Sequence, residues 1–338
     1  MLAVAFALCC ATPGASGGEP EGNAGIASRY PGDRGIGQHP DVVFVEDFER
    51  PKDAILARWD DAKSPERISL SGDVPAASAG RQSLMIRKAP GDGTTGAHLY
   101  RRILRDGSQG YPQLHARMYV KIETGSDPIH HFGTSLGGQH PPLRWPQVRA
   151  GKRPGGDASF WTGVEPYAEH WRWDFYSYWM GMRSWQNDDG SGDVFNGNAF
   201  LREGAERSWV PAGPEVRRGE WVCVELMVRM NDPVDARNGE QALWIDGELV
   251  RKDGQILSHL GPGFPRGSWL RDKWSPDPDG APFEGFQWRS SPELLANFVW
   301  LYVYTEQDQY DIPVSFDDVV VATRYVGPLS GGATDPMR

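Results

Sequence analysis

The chain of 338 residues is poor in cysteine and in long apolar segments. Of its three cysteines, Cys9 and Cys10 fall in the apolar run of residues 2–11, so Cys223 stands alone in the rest of the chain. A single remaining thiol excludes an intramolecular disulfide and a cysteine-based metal site there. No apolar run approaches the roughly 20 residues of a membrane-spanning helix, and we therefore predict no membrane span.

The chain also lacks an excess of positive charge. Lys and Arg number 35 against 45 Asp and Glu, which gives a formal net charge of −10. A nucleic-acid-binding protein normally presents a broad basic surface, so we predict that nucleic acid is not a partner. An acidic protein can still bind an acidic polymer where its basic groups gather in one cleft.

The N-terminal residues have the composition of an export signal. Residues 2–11 are apolar, and the small residues from Ala11 to Gly18 follow them, as in a signal peptide with its cleavage site. A buried N-terminal strand is the alternative for the apolar run. We predict a secreted or periplasmic protein with a signal peptide (1–17), a flexible leader (18–40), one domain (41–328) and a tail (329–338).

Helical periodicity is nearly absent, whereas apolar and polar residues alternate in many short segments from residue 42 onward. Such alternation is typical of a strand with one buried and one wet face. Short alternating segments joined by long loops predict an all-β fold, a two-sheet antiparallel β-sandwich. The longest predicted loops are 124–160, 183–220 and 251–297. We expect the protein to be a monomer.

Residues 170–180 form the clearest alternating segment. Four large aromatic residues share one face, which we predict to be buried: Trp171, Trp173, Phe175 and Trp179. The opposite face combines hydrogen-bonding groups with flat rings, as the recognition of sugar rings requires. This second face carries His170, Arg172, Asp174, Tyr176 and Tyr178.

Three further segments present the same kind of polar face. We predict that they extend the sugar-binding surface if they lie in the same sheet, and the alternative is a solvated sheet face with cross-strand pairs. The residues are His115, Arg117, Tyr119 and Lys121 in 115–122, Glu225 and Arg229 in 221–231, and Trp300, Tyr302 and Tyr304 in 298–306.

The long segment 124–160 is locally basic within an acidic chain. Its charge suits a polyanionic ligand, and a solvated loop without a ligand is the alternative. We predict that His131, Gln139 and His140 contact the substrate. The neighbouring basic residues are Arg144, Arg149, Lys152 and Arg153.

Several short motifs follow one another in the order seen in a known family. They include Glu46-Asp47-Phe48-Glu49, Gly137-Gly138, Tyr176-Ser177-Tyr178, Trp244-Ile245-Asp246-Gly247 and Phe316-Asp317-Asp318-Val319. Over residues 42–326 the chain resembles the concanavalin A-like jelly-roll polysaccharide lyases, particularly those that act on alginate and glucuronan. The resemblance implies a concave sheet that carries a Tyr-x-Tyr pair, matched here by Tyr176 and Tyr178. Gln139 replaces the lysine that follows Gly-Gly in that family.

The resemblance implies cleavage of an acidic, uronate-containing polysaccharide by β-elimination. That reaction removes the proton at C5, neutralises the neighbouring carboxylate and gives a proton to the oxygen that leaves C4. We predict Arg172, Tyr176 and Tyr178 as the catalytic residues, because alternate residues of a strand lie about 7 Å apart on one face. His170 or a histidine of segment 124–160 is expected to assist them. This chemistry requires no cofactor.

Two other functions and one metal site stay open from the sequence. A non-catalytic carbohydrate-binding sandwich needs aromatic platforms but no convergence of Arg, Tyr and His. A glycoside hydrolase needs two carboxylates about 5–10 Å apart, and Glu306-Gln307-Asp308 is the candidate motif. A structural Ca²⁺ held by oxygen atoms of Asp47, Glu49 and Asp318 is a separate prediction. A carboxylate cluster paired with arginine is its alternative.

Overall fold

A computed structural model describes residues 19–107, 109–147, 150–185, 192, 194–203 and 210–331. The predicted signal peptide, Arg149 and the last seven residues of the predicted tail lie outside this part of the chain. The regular structure is nearly all β, and two antiparallel sheets pack against each other. Among the described residues, no helix is long and apolar enough to cross a membrane. The predicted all-β sandwich is confirmed.

Short strands make up most of the regular structure, and the helical elements are single turns. In chain order the strands are β1 (Val42–Glu46), β2 (Asp61–Lys63), β3 (Ile68–Ser71), β4 (Ser83–Lys88), β5 (Thr95–Arg102), β6 (Gln113–Ile122), β7 (His131–Gln139), β8 (Ser159–Glu165), β9 (Asp174–Tyr178), β10 (Arg202–Glu203), β11 (Val210–Pro211), β12 (Val222–Arg229), β13 (Glu240–Ile245), β14 (Glu248–Leu249), β15 (Arg251–Lys252), β16 (Gln255–Ile256), β17 (His259–Leu260), β18 (Arg266–Leu270), β19 (Lys273–Pro276), β20 (Ala281–Pro282), β21 (Phe298–Tyr304) and β22 (Ile312–Ala322). The α-helix α1 (Lys52–Leu56) is joined by 3₁₀ turns at Gly22–Ala24, Ile26–Arg29, Pro31–Asp33, Ile36–Gln38, Pro65–Arg67 and Ala168–His170.

Two large sheets build the sandwich. Sheet A runs in the order β14-β13-β12-β6-β22-β4-β3, with β1 paired to β22 and β17 paired to β13. Sheet B runs in the order β2-β5-β21-β7-β8-β9. The sheets meet through apolar side chains, and Phe132 of β7 stacks on Phe316 of β22 with ring centroids 5.6 Å apart. Sheet B therefore has one face in the core and one face open to ligands.

The predicted aromatic face of residues 170–180 lies in the core. Trp173, Phe175 and Trp179 are each at most 3% exposed, and Trp171 is half-buried. The register of this segment is therefore as predicted over β9. The strand itself is shorter than expected, because the 3₁₀ turn Ala168–His170 and a left-handed Trp171 (φ 47°) precede it.

Strands β7 and β8 are neighbours inside sheet B, although segment 124–160, which holds β7 and the start of β8, was expected to be a loop. Their glycines weaken the strand signal in the sequence, yet the neighbouring aromatic rings require them. A Cβ on Gly133 would lie 2.1 Å from the ring of Tyr302, and one on Gly137 would lie 2.3 Å from the ring of Phe298. The glycines make room for aromatic side chains that lie flat across the sheet.

Residues 22–38, expected to belong to a flexible leader, pack on the outer face of sheet A as four 3₁₀ turns. Ile26, Ala27 and Ile36 are buried there. The backbone N–H of Ala27 donates to the carbonyl of Val326 at 2.8 Å, so the two ends of the described chain are joined.

Six residues predicted to contact the substrate lie in β6 and β12, in the sheet that carries this N-terminal cover and not on the open face of sheet B. The polar residues of β6 and β12 face outward from sheet A, on the side opposite the open face of sheet B, and they are used in structural contacts. The alternation of each segment was correct, but alternation does not reveal which sheet a strand joins. His115 pairs with Glu225 at 3.0 Å, Arg117 pairs with Asp33, the Tyr119 hydroxyl accepts from the N–H of Leu329 at 2.9 Å, Lys121 pairs with Asp73, and Arg229 pairs with Glu240.

Candidate functional site

The open face of sheet B carries a cavity of about 910 Å³, called here the main cavity. Its floor is formed by side chains of β5, β7, β8, β9 and β21, and its walls by loops that include residues 167–170 and 272–273. A smaller cavity of about 340 Å³, called here the side cavity, lies beside it. Trp161 and Tyr178 line both cavities, so the two form one continuous groove.

Aromatic rings form much of the groove floor. Trp300 and Tyr302 of β21 stack with centroids 4.1 Å apart. Trp161 of β8 stacks on Tyr178 of β9 at 5.2 Å and 15° between planes. Flat apolar rings with polar edges are the surfaces on which sugar rings stack. The predicted substrate contacts Trp300, Tyr302 and Tyr304 all line the main cavity.

Tyr176 and Tyr178 come together as the Tyr-x-Tyr pattern predicts. Their hydroxyl oxygens are 3.2 Å apart and within hydrogen-bonding distance. Gly197 lies against the ring of Tyr176, and a Cβ there would approach the ring atoms to 2.6 Å. Burial raises the pKa of both tyrosines. Both hydroxyls are therefore neutral near pH 7 and able to donate a proton.

His131 of β7 stands beside this pair. Its ring centroid lies 4.6 Å from that of Tyr176, and its Nδ1 is 2.8 Å from Oε1 of the buried Glu165. Burial by itself would lower the pKa of His131, but the charge of Glu165 and its hydrogen bond outweigh burial and raise it. With Nδ1 bound to Glu165, the remaining ring nitrogen, Nε2, is the one available for chemistry.

Asp174 lies on the face of β9 on which it was predicted, but its contacts are structural. Its Oδ1 accepts from the backbone N–H groups of Phe200 and Leu201, each at 2.9 Å, and its Oδ2 is 2.8 Å from Nε of Arg202. The guanidinium of Arg202 lies 3.6 Å from the ring centroid of Tyr167. This carboxylate therefore fixes the segment 200–202 against β9.

His170 and Arg172, both predicted to be catalytic, precede β9 and do not share its face. His170 lines the main cavity from the 3₁₀ turn, where its ring stacks on Tyr167 at 5.4 Å. Arg172 is exposed, does not line either cavity, and donates to the carbonyl of Gly213 at 3.3 Å. The left-handed Trp171 breaks the alternation between these residues and β9. Arg172 is therefore removed from the candidate catalytic group.

The side cavity holds the other predicted contacts of segment 124–160. Gln139 and His140 line it together with Lys152 and Arg153. Nε2 of Gln139 donates to the Tyr100 hydroxyl at 2.6 Å. His131 instead lines the main cavity, so the single predicted basic segment contributes to both parts of the groove.

Several groove residues were missed by the sequence reasoning. Trp161 and Glu165 belong to β8, whose central Gly163 hid the strand, and an alternating pattern through that glycine is the signal that would have found them. His98 faces the main cavity and bonds Asp61 at 2.8 Å. Arg202 begins β10 and Lys273 begins β19, both in segments predicted to be long loops, and no sequence signal places them in the groove.

The predicted calcium ligands lie where the end of β1 pairs with the middle of β22. Oδ2 of Asp317 and Oδ2 of Asp318 are buried without a hydrogen-bond partner among the described residues. Burial raises the pKa of both, and the charge of Asp47 adds to the rise. Such unrelieved carboxylates fit a cation. Glu49, however, accepts from the N–H groups of Arg81 and Gln82.

The geometry of this cluster is looser than a bound ion requires. Among the described residues, the carboxylates of Asp47, Glu49 and Asp318 are not gathered within 4.8 Å of one another, whereas the ligand atoms of Glu19, Glu240 and His259 are. Calcium between β1 and β22 therefore stays a prediction, with a test given below.

The fold is similar to that of known polysaccharide lyases. The alginate lyase vAL-1 from Chlorella virus matches with a TM-score of 0.51 at 11% identity, over 83% of this chain and 99% of that chain. The alginate lyase Aly36B matches with a TM-score of 0.47 at 12% identity, over 84% and 98% of the two chains. An endo-beta-1,4-glucuronan lyase from the fungus Trichoderma reesei matches with a TM-score of 0.42 at 14% identity, over 83% and 95%.

The similarity to vAL-1 confirms the fold that the sequence resemblance implied, that of the jelly-roll polysaccharide lyases. No protein-family model matches the sequence, and no curated protein matches it either.

Proposed function

We propose that the protein is a polysaccharide lyase that cleaves a uronate-containing polymer by β-elimination in the groove of sheet B. One observation carries the proposal: the hydroxyl pair of Tyr176 and Tyr178 lies beside the His131–Glu165 pair on an aromatic floor. A proton donor and a proton acceptor thus stand together where a sugar ring can stack. Elimination needs both groups, and a binding module needs neither.

In this proposal His131 is the base. Glu165 holds the imidazole through Nδ1, as a carboxylate orients a catalytic histidine elsewhere, and Nε2 accepts the proton from C5 of the uronate. The electron pair of the broken C5–H bond forms the C4–C5 double bond as the C4–O4 bond breaks. The raised pKa of His131 makes it a stronger base than an isolated histidine.

The tyrosine pair is the acid. The leaving oxygen O4 takes a proton from one of the two hydroxyls, whose raised pKa values keep them protonated. The second hydroxyl stays within hydrogen-bonding distance of the donor at 3.2 Å and stabilises the charge that develops on it. Tyr178 is the better placed donor, since it lies where the two cavities meet.

The carboxylate of the reacting uronate needs a positive partner in place of Arg172. Lys152 and Arg153 line the side cavity next to Tyr178, with the amide of Gln139 in the same lining. A uronate that stacks at Trp161 and points its carboxylate into the side cavity meets these groups. Neutralising the carboxylate stabilises the enolate-like intermediate.

The two carboxylates that face each other in β8 and β9 do not fit the pair of a glycoside hydrolase. Glu165 and Asp174 are paired across β8 and β9, but Oδ1 of Asp174 accepts from backbone N–H groups and Oδ2 is bound to Arg202. A carboxylate with both oxygens engaged is not free to act as nucleophile or base. The alternative that the test must separate is therefore binding without cleavage.

The test is the formation of the unsaturated product. Purified protein is incubated with alginate, polyglucuronate and hyaluronan, and the ultraviolet absorbance of the new double bond is followed. Growth of that absorbance in the wild type, and its loss in Tyr178→Phe, supports the proposal. Binding of a uronate polymer in calorimetry without any absorbance change would assign the groove to a binding protein instead.

A further inference from the structure

The two parts of the groove differ in charge. Among the described residues that line the side cavity, Lys152 and Arg153 are the ionised side chains, and no carboxylate is present. The main cavity has the opposite balance, because its described lining holds five carboxylates against three Lys or Arg side chains. The carboxylates are those of Glu165, Glu169, Asp174, Asp272 and Glu306, and the cations are Lys63, Arg202 and Lys273.

The cations of the side cavity are available to a ligand. Lys152 and Arg153 are exposed, and neither has an ion-pair partner within 4.0 Å among the described residues. The guanidinium of Arg153 lies 5.4 Å from the ring centroid of Phe195. His140 is a weaker contributor, because its Nε2 is 3.0 Å from the carboxylate of Glu293.

Two of the three cations of the main cavity are engaged by its own acids, and the third, Lys63, is exposed. Arg202 is 2.8 Å from Asp174, and Lys273 is 2.6 Å from Asp272. Of the remaining acids, Glu306 pairs with His130 at 3.3 Å and with no Lys or Arg among the described residues, and burial lowers the pKa of that histidine. Glu169 is exposed at the rim. The surplus of negative charge in the main cavity would therefore repel an additional carboxylate.

We propose that the groove selects a polymer in which a uronate is preceded by an uncharged sugar. The uronate that reacts stacks at Trp161, where the two cavities meet, and points its carboxylate into the side cavity, while the sugar joined to it through O4 occupies the main cavity. A charged sugar in the main cavity is disfavoured by the surplus of carboxylates, whereas a neutral sugar can stack on Trp300 and Tyr302. This inference rests on the proposed lyase function and specifies its substrate class.

The proposal predicts the composition of the product ends. β-Elimination leaves the double bond on the uronate at Trp161 and creates a new reducing end on the sugar in the main cavity. If the main cavity prefers neutral sugars, new reducing ends should be enriched in them. One like-charge contact in water is worth about 1 kcal/mol, so the enrichment should reach roughly fivefold over the polymer average.

The experiment uses a matched pair of substrates. The uronate polymer that the wild-type protein cleaves is partly carboxyl-reduced, which replaces some uronates by neutral sugars without changing any linkage. Products of full-length protein acting on both polymers are sequenced by mass spectrometry. The number of cleavages per uronate should be higher in the reduced polymer. The neutral sugar should be enriched at the new reducing ends, and it should not be enriched at the position next to the unsaturated sugar.

Variants then test which charges produce the preference. Glu169→Gln together with Glu306→Gln should reduce the enrichment of neutral ends, while Lys152→Ala with Arg153→Ala should raise KM and leave the enrichment in place. Arg34→Ala is the matched control, because Arg34 is exposed in the N-terminal cover on the other sheet. It should behave as wild type.

The possible failures are distinguishable. In the first, the wild-type protein cleaves both substrates and yet produces new reducing ends with the average composition of the polymer. That result would overturn the substrate inference and leave the lyase function standing. Absence of unsaturated products from the parent polymers and from their partly reduced forms would overturn the proposed function itself.

Discussion

Glu165 and His131 are joined by a hydrogen bond of 2.8 Å inside the groove, and against the effect of burial the charge of Glu165 and this bond raise the pKa of the histidine. Because the carboxylate favours the imidazolium form, the pKa of His131 is raised above its ordinary value of about 6.5. A base must be neutral to accept a proton. Activity should therefore increase with pH as His131 loses its proton, with an acid limb above the ordinary histidine value.

The first prediction concerns Glu165→Gln. Removing the charge takes away the interaction that raises the pKa of His131, while the side-chain amide can still accept from Nδ1. The acid limb of kcat/KM should move to lower pH, and kcat should fall because the neutral amide stabilises the imidazolium less. A pH–rate profile of both proteins on the same polymer measures the shift. An unmoved acid limb would assign the proton acceptor to another residue.

The second prediction concerns Tyr178→Phe, which keeps the ring that stacks on Trp161 and deletes the hydroxyl. General acid–base assistance is typically worth about 10²–10⁴-fold, so kcat should drop by that order while KM changes little. Arg172→Ala is the comparison, since Arg172 lies outside both cavities. It should keep near-wild-type turnover. Equal losses in the two variants would contradict the site described above.

The third prediction concerns the core under the site. Trp173 is 1% exposed between the sheets, and replacing a large buried aromatic residue by alanine typically costs about 3–5 kcal/mol of unfolding free energy. Trp173→Ala should show this loss in urea unfolding monitored by fluorescence or circular dichroism. Trp145→Ala removes a side chain that is 51% exposed and should change stability little. Similar midpoints for the two variants would contradict the register of β9.

The fourth prediction concerns calcium near Asp317 and Asp318. A bound cation would relieve the repulsion among these buried carboxylates, and anything that binds only the folded state stabilises it. Exhaustive chelation should therefore lower the melting temperature, and added Ca²⁺ should restore it. The variant Asp318→Asn should lose the response to calcium. A melting curve that is unchanged by chelation would leave the cluster as a metal-free group of acids.

The sequence by itself determined the faces of the strands. Side chains alternate with a period of two, so the burial of Trp173 and Phe175 in the core and the position of Tyr176 and Tyr178 together on the opposite, groove-lining face follow from local geometry. The same alternation predicted that β6 and β12 are strands with one apolar and one polar face. The sequence also predicts the fold class, because short strands without helices can bury their apolar faces in only a few sheet arrangements.

Only the tertiary structure decided which strands became neighbours. Arg117 and Tyr119 have the same residue types as groove residues, but β6 joined sheet A, and the N-terminal segment buries Arg117 against Asp33. His131 and Glu165 are 34 residues apart in the chain, and only the pairing of β7 with β8 brings them together. Strand pairing is a long-range choice made by the burial of whole sheet faces, and residue type or spacing within one segment carries no information about it.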